Sequence, residues 1–219
     1  MFEEKDSRPK IPLKELSGNA KGISALLWIA SIILLVMSLV QHEFTLLFWI
    51  VILTYSMFYL KSNIAQCFKK TYILKSLLYL PLLFIPKFVC EQLLSRANIW
   101  WLNIGISANF LFGGSGTVMA TDWISFFISM GVLVLLFFPC NYYEEYYFRK
   151  RWYLVGIWAL MHLFLGFSNF SIGEFFVLCG LGIGFKLIYD KHGIQVSYPT
   201  HVFVNLMTVI MAVLLLTSI

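Results

Sequence analysis

Charge is what this sequence has least of. Asp, Glu, Lys and Arg make up 12% of its 219 residues, where a soluble domain carries roughly 25%. With 60% hydrophobic residues and a mean hydropathy of +0.81, a solvated globular shell is excluded and an integral membrane protein is expected. No long basic run and no basic amphipathic face is present, which removes nucleic acid as a partner. The four cysteines, Cys67, Cys90, Cys140 and Cys179, form no Cys-x-x-Cys pair. Neither a disulfide framework nor a structural zinc site is therefore expected, and they read as small apolar residues in or near helices. The apolar runs do not alternate with polar residues, so a transmembrane barrel is excluded. No internal repeat stands out, and an inverted-repeat carrier gains no support. His-Glu-x-x-His, the familiar zinc helix, is absent as well.

What is present is a series of apolar runs near the ~20 residues that cross a bilayer. A polar tail, residues 1–21 with Pro9 and Pro12, is expected in the cytoplasm. The run that follows begins too late and is too long for a signal peptide. Spans are expected at residues 22–40, 44–60, 76–90, 122–141, 153–168, 172–189 and 198–218. Gln41-His42-Glu43 reads as a tight exterior turn, and Pro81, Pro86 and Lys87 interrupt the third span. Lys61, Lys69, Lys70 and Lys75 read as one cytoplasmic loop. Residues 98–112 are short and begin near Trp100 and Trp101, and Gly113-Gly114-Ser115-Gly116 is a flexible break. If 98–112 does not cross, the basic clusters at 5–21, 61–75, 149–151 and 186–191 all fall on one side, as the positive-inside rule requires. The expectation is an all-α polytopic membrane protein, one transmembrane domain over 22–219. It has seven spanning helices plus a re-entrant or interfacial segment, with eight as the rival count. Gly180, Gly182 and Gly184 should slim the sixth span for close helix contact. Tyr142, Tyr143, Tyr146 and Tyr147 read as an interfacial aromatic belt, and His42 and His192 as solvated.

Three polar islands interrupt this apolar background. The first is Glu144-Glu145 with Arg149, where two adjacent carboxylates end an apolar run; charge near hydrocarbon is costly and usually functional. On a helix Glu145 and Arg149 share a face, while Glu144 points about 100° away. Arg149 can then neutralise one carboxylate and leave the other free. The second is His162, four residues after Trp158; the third is His201 with Asn205, again four apart. His162 lies roughly 15 Å from the basic side, a depth that requires a cavity open to the cytoplasmic side. Hydrolysis of an amide needs a base for water, a donor for the oxyanion and an acid for the leaving amine. These residue types supply all three. They also fit relays of a proton-coupled carrier.

Glu-Glu-x-x-x-Arg, aromatic-x-x-x-His and His-x-x-x-Asn, in this order and each on an expected membrane helix, resemble the CPBP intramembrane proteases. That family includes CAAX endopeptidases of the Ras-converting type and bacteriocin-processing enzymes. The resemblance covers about residues 122–210. Trp158 stands where family members commonly have Phe, and Lys150 where a Gly often follows the Arg. The resemblance implies an endopeptidase of the cell membrane, bacterial from its compact size, acting on a membrane-associated peptide or protein precursor. It implies Glu144 as the carboxylate that activates water and His162 as its partner. Glu145 and Arg149 become supporting residues, and His201 and Asn205 the oxyanion-stabilising groups. A metal-free mechanism is preferred; a zinc version with His162, His201 and Glu144 as ligands stays open. A self-immunity or scaffold protein of the same family is the alternative function.

Overall fold

The computed structural model describes residues 16–37, 43–96, 105–107, 123–165 and 169–217. Among these, seven helices and two three-residue strands make up the fold. They are α1 (Gly18–Met37), α2 (Glu43–Cys67), α3 (Lys70–Arg96), β1 (Gly105–Ser107), α4 (Trp123–Phe148), α5 (Trp152–Leu165), β2 (Asn169–Ser171), α6 (Ile172–His192) and α7 (Ile194–Thr217). The long apolar segments become helices because a helix satisfies every backbone group within the segment. Ser17 caps α1, its Oγ accepting from the Ala20 N–H at 3.2 Å. Gly193, at φ 75°, stops α6 in the left-handed conformation that glycine adopts without strain, and its N–H donates to Tyr189 O at 2.7 Å. α7 begins on the next residue.

Three connections are so short that their helices must run antiparallel: Phe68–Lys69, residues 149–151 and Gly193. All three lie at one end. Ser76 Oγ, near the start of α3, donates to Val196 O, near the start of α7, at 3.0 Å. Tyr79 Oη lies 2.8 Å from His192 Nε2, and Lys186 Nζ sits 5.0 Å from the Trp152 ring centre. Ser24 Oγ donates to Tyr147 Oη at 3.1 Å, bringing the start of α1 to the same end. α3 therefore runs parallel to α7, and α4 runs opposite to both. The chain between α3 and α4 accordingly leaves and returns at the far end, where β1 pairs antiparallel with β2, Gly105 opposite Ser171. Of the expected re-entrant segment 98–112, this strand is the described part. Trp100, Trp101, Gly113 to Gly116, Gln41, His42 and the tail up to residue 15 lie outside the described residues.

Several expectations need correction. Lys61, Lys69, Lys70 and Lys75 do not share a loop: Lys61 is inside α2 and Lys75 inside α3. Lysine is a good helix former, and its stem lets the ammonium reach out from a helical position. α1 begins at Gly18, inside the expected tail. α3 runs on past Pro81 and Pro86 to Arg96. His192 is not simply solvated, since it bonds Tyr79. The tyrosines are not a belt. Tyr142, Tyr143 and Tyr146 are buried in a core cluster with Leu60, Ile64 and Tyr198, because α1, α2 and α7 cover the last turns of α4. Asn63 Nδ2 donates to Tyr142 Oη at 3.0 Å inside that cluster. A second cluster, with Trp158, Leu181, Phe185 and Val204, joins α5, α6 and α7.

Two described helices are long and apolar enough to cross a membrane, Lys70–Leu94 and Ile172–His192, with mean hydropathies of 1.7 and 1.6. Apolar side chains face outward on both. Leu78 is 73% exposed and Leu82 65%, with Ile85, Leu93, Phe176 and Leu187 also exposed. The buried set includes Glu144, Glu145, Arg149, Lys186 and His201.

Candidate functional site

The last two turns of α4 point both carboxylates inward. Glu145 is fully engaged: Arg149 Nε donates to its Oε1 at 3.0 Å, Ser197 Oγ donates to Oε2, and His201 Nδ1 lies 2.9 Å from Oε1. A carboxylate only accepts, so His201 Nδ1 carries the proton of that bond. The ring is thereby turned with Nε2 toward the other carboxylate, 3.7 Å from Glu144 Oε2. Glu144 has a different partner, Trp158 Nε1, which donates to Oε2 at 2.6 Å. His162 Nδ1 lies 2.9 Å from the Trp158 carbonyl, so Nδ1 again holds the proton and Nε2 is left as an acceptor. Both histidines thus have tautomers set by their Nδ1 partners, as a ring nitrogen with a fixed role requires.

Arg149 is completely buried. Its guanidinium carbon lies 4.2 Å from the Trp158 ring centre and 5.4 Å from that of Phe185. Among the described residues its Nη1 and Nη2 find no hydrogen-bond partner, so the aromatic faces carry much of its charge. Phe185 also stacks on His201, ring centres 4.3 Å apart. The packing therefore runs Glu145–Arg149 behind, Trp158 and Phe185 between, and the two histidines in front.

Glu144, His162, His201 and Asn205 all line one cavity of about 190 Å³. Glu145 and Arg149 are not in its wall; they lie behind it and hold His201. The division of labour expected from sequence, one carboxylate paired and the other apart, is the geometry found. Asn205 Nδ2 donates to Asn141 Oδ1 at 3.1 Å. Asn141 also lines the cavity and was missed by sequence reasoning, although it lies one turn before Glu144 on the same face. Trp158 was noted as an aromatic spacer and not as a hydrogen-bond donor. Lys87, Glu91 and Glu174 complete the far wall, with Lys87 paired to Glu91 one turn along α3. Lys87 had drawn notice only as an interruption, and Glu174 had passed as part of a span.

The cavity wall extends away from the basic end. Lys87 and Glu174 lie about 25 Å from that end along their helices, and Glu144 only about 6 Å, at ~1.5 Å per residue. Tyr142, Tyr143 and Tyr198, each at most 1% exposed, pack at about the level of Glu144.

Two imidazoles and a carboxylate are ligand types that zinc accepts. Among the described residues, however, no three His, Cys, Asp or Glu side chains converge closely enough to hold a metal ion.

No family model, curated protein or solved structure matches the chain.

Of the three glycines expected to slim α6, two do so. A Cβ on Gly182 would lie 2.7 Å from Val155 Cγ1 and 3.0 Å from the Trp158 ring, and one on Gly184 would meet Leu83. Gly180 has nothing within 4 Å. Gly182 thus lets α5 approach until Trp158 reaches Glu144.

Proposed function

We propose that this chain is an intramembrane endopeptidase of the CPBP type, hydrolysing a peptide bond in a membrane-associated peptide or protein precursor. The observation that carries the reading is one cavity holding Glu144, His162, His201 and Asn205, with Glu145 holding His201 from behind. In support stand the order of the three motifs and their placement on α4, α5 and α7.

The seven helices are taken as seven spans, with the basic end in the cytoplasm of a bacterial cell. Support comes from the apolar outward faces and from Lys69, Lys70, Lys150, Arg151 and Lys191 clustering at the three short turns. The cavity then lies on the bilayer side of Glu144. Its intervening wall is apolar, with Leu136, Phe137, Leu178 and Leu181, so the substrate is an apolar or membrane-seated segment. Ionisable groups on such a wall are expensive unless they serve a task.

In the mechanism, a water hydrogen-bonded to Glu144 and His201 Nε2 gives its proton to Glu144. Its oxygen attacks the substrate carbonyl carbon. The carbonyl oxygen becomes an oxyanion, met by the side-chain amide donors of the cavity. Collapse breaks the C–N bond, and the proton held by Glu144 passes to the leaving nitrogen. Trp158 fixes the position of Glu144, and Glu145 fixes the ring of His201. Preorganised donors and a positioned base supply the rate.

The test is co-expression of the wild-type protein with a library of precursor peptides, read by mass spectrometry. Internal cleavage of a membrane-associated peptide is expected. If no peptide is cut while producer cells are still protected from their own peptide, the immunity reading replaces this one.

A further inference from the structure

We infer that Asn141 is a catalytic residue of this site, the amide that meets the substrate's developing oxyanion, with Asn205 as the residue that positions it. The inference rests on the protease reading and adds to it a residue outside the three motifs.

Asn141 is 2% exposed and lines the cavity, and among the described residues its Nδ2 has no hydrogen-bond partner. A buried donor without a partner is rare and calls for a reason. Its own acceptor is occupied: Asn205 Nδ2 donates to Asn141 Oδ1 at 3.1 Å. That bond holds the Asn141 amide in one orientation and leaves its two N–H donors uncommitted. Asn205, the expected oxyanion donor, spends an N–H on Asn141 and so passes the donor role across to α4.

The layout explains why the two amides belong together. α4 and α7 run antiparallel. Glu144 and Asn141 are three residues apart on α4, and His201 and Asn205 four apart on α7. Two layers result, Glu144 facing His201 at 3.7 Å and Asn141 facing Asn205 at 3.1 Å. They are stacked about one helical turn apart, roughly 5.4 Å. A tetrahedral carbon fits that spacing with its attacking oxygen on the first layer and its oxyanion on the second, each at hydrogen-bond distance. Base and donor then come from one rigid helix, which is the preorganisation that oxyanion stabilisation needs.

The experiment uses the full-length protein in lipid nanodiscs and a peptide that wild type cleaves in the co-expression screen. Asn141→Leu keeps the volume and removes the donor. The expected result is a fall in kcat of about 10²–10³-fold with KM little changed. Thermal unfolding should fall only modestly, because the variant removes an unpartnered buried donor and costs the half-buried Asn205 amide one acceptor. The double variant with Asn205→Leu should be no worse than Asn141→Leu alone, since the two amides act as a unit. Retention of wild-type kcat by Asn141→Leu overturns the inference while leaving the protease reading intact. A wild-type protein that cleaves no peptide overturns both.

Discussion

Trp158 shows how much one side chain decides at this site. The family that the chain resembles commonly has Phe there, and a Phe ring would fill the same space between Arg149 and His162. Only an indole, however, can donate to Glu144 Oε2, as Nε1 does at 2.6 Å. Trp158→Phe should therefore fold, keep most of the packing against Phe185, and lose the bond that aims the carboxylate. A fall in kcat of about tenfold or more is expected from misplacing the base, measured with the purified variant on a cleaved peptide. An unchanged kcat would show that Glu144 is placed by something else. At this scale the sequence was informative wherever partners share a helix. Glu145 and Arg149 are four apart, and that spacing alone told which carboxylate would be paired. It was uninformative wherever the partner lies on another helix. Nothing in the local run Asn141–Glu144 announces Asn205, and nothing beside Tyr142 announces Asn63. The tyrosines were misread for the same reason. Their chemistry suits a headgroup layer, and what decides their place is the cover supplied by α1, α2 and α7.

Among the elements, α6 sets the depth of the site. Gly182 lets Val155 and Trp158 of α5 lie against its backbone, and Gly184 does the same for Leu83 of α3. Gly182→Ala puts a methyl 2.7 Å from Val155 and 3.0 Å from an indole that is 0% exposed. Overpacking of this kind costs about 1–3 kcal/mol. Because the displaced ring is the one bonded to Glu144, activity should fall with stability. Gly180→Ala meets nothing within 4 Å and is the control, expected near wild type in both. Thermal unfolding and peptide cleavage of the two variants check this; equal behaviour would show that α6 does not locate Trp158. The helices themselves were legible from apolar run length. Their ends were not, because Lys61, Lys75 and Gly18 are compatible with a helix and a charge count alone places them outside it. The role of the glycines was legible as a stripe, but which of them makes contact depends on the rotation of α6 against its neighbours.

Among the described residues, charged groups are buried inside an otherwise apolar bundle, apolar side chains face outward on α3 and α6, and Lys69, Lys70, Lys150, Arg151 and Lys191 gather at one end. Sequence arithmetic reached that asymmetry, since the basic clusters align only when 98–112 does not cross; the antiparallel run of α3 and α4 has the same consequence. The extent of the cavity along the bundle was beyond it, because that depends on which side chains of neighbouring helices face one another. For orientation, cysteines introduced at Lys150 and Lys191 should resist an impermeant maleimide in intact cells and react in inverted vesicles. One at Arg96 should behave oppositely. Labelling of the first two from outside would reverse the topology. The measurement that bears most directly on the chemistry is Glu144→Gln in nanodiscs, with a peptide that wild type cleaves. Glutamine keeps the size and still accepts from Trp158, but it cannot take a proton from water. If Glu144 is the base, cleavage should fall by about 10²–10⁴-fold with thermal unfolding near wild type. Cleavage at the wild-type rate would contradict the role of Glu144 and with it the proposed mechanism.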